Sequence, residues 1–206
     1  STLDIAEQQL FDKANWSKPV ITEYGLKLSK CQKSDARYIA TYEKLLCRVR
    51  HLVTDRKNVF THNPWGEYGH EDHVLVYQVL KTLQMEFHFT LWFSNYCSNR
   101  SVTLMNRYIS GLHFDYDCLP ANPALARKIA DIYKKNGCWT WYEDYQWFDH
   151  ECLMRSTPSR GYQASLPYGH GFPVNYMKIF IESEKPKPRL LAKIQKKIKR
   201  KLKWAF

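Results

Sequence analysis

Ten of the chain's 31 basic residues fall within its last 22 positions, residues 185–206, which hold no Asp or Glu. Positions 1–184 keep 21 basic residues against 20 acidic ones, a net charge of +1, so the overall +11 belongs to the C-terminal segment. A nearly balanced body can close a core without self-repulsion. A segment of ten like charges needs an apolar surface to dock on or an anionic partner to neutralise it. The chain is therefore read as a globular body over 1–184 followed by a basic arm over 185–206.

Drawn as a helix at about 100° per residue, the arm collects Leu190, Leu191, Ile194, Ile198, Leu202 and Ala205 on one side. Lys193, Lys196, Lys199, Arg200 and Lys203 collect on the other. The preceding Lys185-Pro186-Lys187-Pro188 is a stiff, charged linker. The leading expectation is a nucleic-acid-binding protein, of viral or mobile-element type. In it Lys193, Lys196, Lys197, Lys199, Arg200, Lys201 and Lys203 contact DNA or RNA phosphates with salt-sensitive, sequence-independent affinity. Arg155 and Arg160 are candidate phosphate contacts from the body. An anionic membrane surface and a protein or virion assembly are the competing partners, since a Lys-rich amphipathic helix ending in Trp204 and Phe206 also suits a lipid interface. The bland reading is a solvated helix packed on the body by its aliphatic stripe.

With 44% hydrophobic and 15% aromatic residues, the chain has ample material for a packed core. It has no run of about 18 apolar residues, and Ser1-Thr2-Leu3-Asp4 lacks a secretion-signal pattern, so a cytoplasmic location is expected. The six cysteines are widely spaced with no Cys-x-x-Cys pair, which favours reduced, buried thiols over a disulfide framework or a four-cysteine zinc site.

Hydrophobic periodicity predicts a short helix over 3–15 and a long one over 34–54, the latter carrying Tyr38, Ile39, Tyr42, Leu45, Leu46, Val49, Leu52 and Val53 on one stripe. Residues 57–72 read as loop, 71–83 as helix, and 85–95 as a strand on which Met85, Phe87, Phe89, Leu91 and Phe93 alternate with polar residues. Helices are predicted over 101–110 and from Asn122-Pro123 to Asn136-Gly137, the second matching the Pro-first, Gly-last asymmetry. Trp139, Trp141, Tyr145 and Trp147 suggest a hairpin or paired strands, 156–173 a long loop and 174–182 a final strand. Helices and strands do not alternate regularly. The expected fold class is α+β: a single mixed domain with a small sheet, several amphipathic helices and the C-terminal cationic amphipathic helix.

Candidate chemistry concentrates in His62-Asn63-Pro64-Trp65-Gly66-Glu67-Tyr68-Gly69-His70-Glu71-Asp72-His73, where three imidazoles and three carboxylates could hold a divalent metal. The spacing is not that of a His-Glu-x-x-His protease. His62, His70 and His73 are the candidate ligands, and the bland reading is a polar loop with Glu71 or Asp72 capping a helix. His88 and Thr90 form a His-x-Thr that resembles one half of the site of two-histidine phosphoesterases, though the required second copy is missing. His113, Asp115 and Asp117 would share one face of a strand and could orient a general base or hold a metal. His88, Thr90, His113 and Asp115 are thus the catalytic candidates, with Asp117 a further ligand. The second functional reading is a metal-dependent phosphodiester hydrolase built on these groups, with the arm holding substrate. The absence of a Walker loop, a Gly-x-Gly-x-x-Gly run and a Gly-x-Ser-x-Gly elbow removes support from nucleotide-cofactor and serine-hydrolase classes. Whether the chain is an enzyme stays open at this level.

Overall fold

Local helix signals and a register set by distant strands together make a mixed α+β domain. The computed structural model describes residues 11, 13–28, 32–109, 116–142, 145–156 and 173–179. The elements, in order, are β1 (Ile21–Thr22), β2 (Gly25–Leu26), α1 (Gln32–Val53), β3 (Asn58–Thr61), α2 (Glu71–Phe87), β4 (Thr90–Ser94), β5 (Tyr96–Ser98), α3 (Val102–Ile109), β6 (Tyr116–Pro120), α4 (Pro123–Lys135), β7 (His150–Ser156) and β8 (Asn175–Met177). A four-stranded sheet has the order β3-β4-β7-β6, parallel between β3 and β4 and antiparallel elsewhere. The pairs β1-β2 and β5-β8 form two small sheets, the second parallel.

Helix α2 is the centre of the packing. It touches α1, where the Tyr42 and Thr82 hydroxyls share a 2.7 Å hydrogen bond, and it touches β3 and β4 of the sheet. Val74, Val79 and Leu83 of α2 are fully buried, as are Leu91 and Phe93 of β4 and Met154 of β7. The Tyr77 hydroxyl lies 2.9 Å from Ser156 Oγ, and Gln84 Nε2 donates to the carbonyls of Phe89 and Ser156, so polar groups of α2 close the ladder ends instead of remaining unsatisfied. The predicted stripe of α1 buries Tyr38, Tyr42, Leu45 and Val53, while Leu52 stays exposed.

Several expectations are corrected. Residues 58–61 are strand β3, hidden from periodicity analysis because four residues carry too little pattern and the partner, β4, lies beyond a whole helix. Met85 and Phe87 belong to α2, not to a strand. Their alternation is a strand period, but the helix continues until His88, whose N–H bonds Gln84 O at 2.9 Å in a left-handed conformation with φ +58°. The expected hairpin around Trp139–Trp147 is absent among the described residues, where these rings pack edge-on or tilted. The strand in this region is β7, beginning at His150. Of the short N-terminal helix only its last residues are described, and there Ala14 bridges Leu28 in extended form. Three of the five described cysteines, Cys47, Cys118 and Cys138, are exposed, and only Cys97 and Cys152 are buried as expected. Of the loop predicted over 156–173, Ser156 ends strand β7 and residues 157–172 lie outside the described residues, as does the arm over 185–206. Among the described residues no helix is long and apolar enough to cross a membrane.

Candidate metal centre

The loop between β3 and α2 leaves the carboxyl end of β3, next to the carboxyl end of its parallel neighbour β4. In open sheets such ends form the crevice where ligands bind. Asn63 organises the loop. Its Oδ1 accepts from Trp65 N at 3.2 Å and Glu67 N at 2.8 Å, and its Nδ2 donates to Ser94 O at 3.0 Å and Tyr96 O at 2.8 Å. One side chain thus saturates the turn and ties it to the end of β4. Trp65, fully buried, adds an Nε1 bond of 2.6 Å to the same Tyr96 carbonyl. Gly66 has φ +73°, and a Cβ there would lie 2.6 Å from His70 O, so the backbone crossing requires glycine.

Glu67 follows with φ +49°, a left-handed conformation that is costly for a non-glycine residue. Ser101 Oγ donates to its carbonyl. Its carboxylate points inward. Oε1 accepts from Asn63 N at 2.8 Å and faces His62 Nδ1 at 3.2 Å, while Oε2 bonds His73 Nδ1. The His62 and His73 rings stack at 3.8 Å, and His70 stacks on the other side of His73 at 4.7 Å. Tyr68 stands edge-on to His70 and His73 and also meets Trp141.

Protonation follows from these contacts. Burial alone would raise Glu67, but the bonds from His62 and His73 and their proximity outweigh it and hold the carboxyl down to about 2. Burial lowers His73, against the pull of Glu67. An ionised Glu67 accepting from the Nδ1–H groups of His62 and His73 agrees with its lowered value, and a cation bound among these groups would displace those protons. His70 differs: its Nδ1 accepts from Asp72 N at 3.2 Å, capping α2, so its proton sits on Nε2.

The donor atoms of His62, Glu67 and His73 lie within 4.8 Å of one another. Two imidazoles and a carboxylate, with one coordination position left for water, are the donor set of catalytic zinc and not of closed structural sites. At the first turn of α2 Glu71 is fully buried, and its Oε1 accepts from Ala14 N (2.9 Å), Trp16 Nε1 (3.1 Å) and Arg100 Nη2 (3.3 Å). Burial pushes this carboxyl up to about 7 and lowers Arg100 to about 10. Glu71 belongs to this separate buried network and not to the donor group.

Sequence reasoning located His62, His70 and His73 together, and the structure stacks all three. It counted Glu67 among three carboxylates of that run without singling it out as a ligand; the signal was its place between His62 and His73. Asp117 is not part of the group: it is exposed on edge strand β6, paired with Leu153, which in turn pairs with Ser94. His88 is not on a strand. It caps the far end of the 17-residue α2, about 27 Å along the helix axis from His70 at 1.5 Å per residue. Thr90 opens β4 at the opposite end from the cluster, so the His-x-Thr pattern is not brought to the site. Arg155 is exposed on β7 opposite Trp92. His113, Asp115, Arg160, Lys193, Lys196, Lys197, Lys199, Arg200, Lys201 and Lys203 lie outside the described residues. No protein-family model matches this chain, and comparison with curated proteins and with solved structures likewise yields no match.

Proposed function

We propose that the chain is a metal-dependent hydrolase centred on His62, Glu67 and His73. The observation that carries the reading is the convergence of two imidazoles on one buried carboxylate, at the carboxyl ends of two parallel strands. A divalent ion held there would supply a water of lowered pKa at neutral pH. The residues' own contributions are separate. Glu67 gathers His62 and His73 onto one carboxylate, and Tyr68 walls the His70 and His73 rings from the side. The basic segment 185–206 favours anionic phosphodiesters as substrates over carboxylic esters and amides.

The purified full chain is expected to bind zinc, manganese or cobalt in equilibrium dialysis and to hydrolyse at least one of these three bond classes only when loaded. His73→Ala and His62→Ala should lose the metal while retaining the wild-type far-UV circular dichroism. Equal metal retention by wild type and both variants would sink the proposal.

A second reading, nucleic-acid binding, is favoured by the ten basic residues of 185–206. The cavity of about 560 Å³ between α4 and the segment after it adds support, since Lys134 lies over Trp139 at 5.3 Å beside Arg127. Asp131 and Asp149 share that lining and oppose phosphate. Removing 185–206 should flatten the dependence of log affinity on log salt for DNA and RNA, and an unchanged slope would assign the affinity to the body.

A further inference from the structure

Strands β6 and β7 bring Cys118 directly opposite Cys152. Asn95 N donates to Cys152 O at 3.0 Å, so the polar backbone groups of Cys152 face β4 and its pair with Cys118 is the non-hydrogen-bonded kind. The alternation agrees from the other end, where Ala121 N bonds Asp149 O and Pro120, which has no N–H, stands opposite His150. At non-hydrogen-bonded positions the Cα atoms are about 4.5 Å apart and the side chains closest, within the span a disulfide bridges. The two sulfurs lie 3.1 Å apart. Cys118 is exposed at the sheet edge, whereas Cys152 is 1% exposed.

We propose that Cys118 and Cys152 form a reversible thiol–disulfide site that reacts with low-molecular-weight disulfides of the glutathione type. The exposed Cys118 thiolate attacks one sulfur of the oxidant, forming a mixed disulfide and releasing one thiol. Cys152 gives its proton to solvent and attacks Cys118 Sγ, which closes the internal disulfide and releases the second thiol. Two protein thiols are oxidised to one S–S bond while the oxidant's S–S bond is reduced to two thiols. Burial and the neighbouring Cys118 push the Cys152 thiol up to about 11, which leaves the first attack to Cys118. The bond would join edge strand β6, all of whose residues are exposed, to β7 inside the sheet. The segment leading into α4 would be held with it.

The test incubates the full chain in glutathione buffers of increasing oxidised fraction, with alkylation and non-reducing peptide mapping. A Cys118–Cys152 linked peptide is expected, reversed by dithiothreitol and accompanied by slower amide exchange over residues 116–120. Cys152→Ser should retain glutathione on Cys118, and Cys118→Ser should leave Cys152 unmodified. Absence of the linked peptide from natively folded protein, linkage through other cysteines instead, or equal glutathione uptake by the two variants would each overturn the proposal.

Discussion

The β3-α2-β4 region and the β6-α4 flank invert each other's composition. In the first, polar groups are sealed: Asn63 and Glu71 are fully buried and His70 and Glu67 nearly so, because each finds backbone or charged partners. In the second, apolar groups face solvent. Only Ala130 of α4 is buried, while Leu125, Ile129, Ile132 and Tyr133 are exposed, and every residue of β6 is exposed. Polarity therefore does not predict depth in this protein. A buried polar group stays inside when its hydrogen bonds are met, and an amphipathic helix goes inside only when a neighbour covers it.

The sharpest way to break this contrast is Trp65→Ala, which removes a fully buried ring packed on Phe93 and its bond to Tyr96 O. It should cost about 3–5 kcal/mol in urea denaturation, the range for deleting a buried aromatic side chain. Retention of wild-type stability would show that the loop is not part of the core.

Next comes pH. Glu67 is held down to about 2 from an ordinary value of 4.5, so its contribution is complete above the unfolded pKa and is lost as pH falls from about 4.5 to about 2. The shift is worth about 3 kcal/mol. Acid titration of stability should show this loss in the wild type and a flatter profile in Glu67→Gln, and parallel profiles would contradict the assignment.

Smaller effects belong to the flank. Asn122 Oδ1 accepts from Leu125 N at 3.0 Å as the cap of α4, so Asn122→Ala should cost about 1 kcal/mol. Ile132→Ser, at an exposed position, should stay within about 0.5 kcal/mol. A large loss from Ile132→Ser would mean that the apolar face of α4 is covered in the folded full-length protein.

The same division explains what could be read in advance. Helix α4 was legible to its ends, because Asn122-Pro123 and Asn136-Gly137 act within one turn of themselves. The stripe of α1 was legible for the same reason, and only its start differed, at Gln32 in place of Ser34. Strands β3 and β7 were not, since their partners lie 32 and 65 positions away along the chain in the pairs Val59–Leu91 and Leu91–Ser156. The histidines of the site were legible as a dense polar run. That Glu67 and not Glu71 or Asp72 is their partner was not, because it depends on a left-handed backbone and on a Ser101 hydroxyl delivered by another element.

Sequence alone determined the balanced body, the confinement of charge to 185–206, the helices with their own caps and the nearness of three imidazoles. These rest on interactions between residues a few positions apart. Tertiary structure alone decided that β3 and β4 run parallel, that Glu67 sits between His62 and His73, that His88 and Asp117 stand away from them, and that Cys118 faces Cys152. Each of those depends on strand register and on which backbone groups remain to be satisfied, quantities that exist only once distant parts of the chain have met.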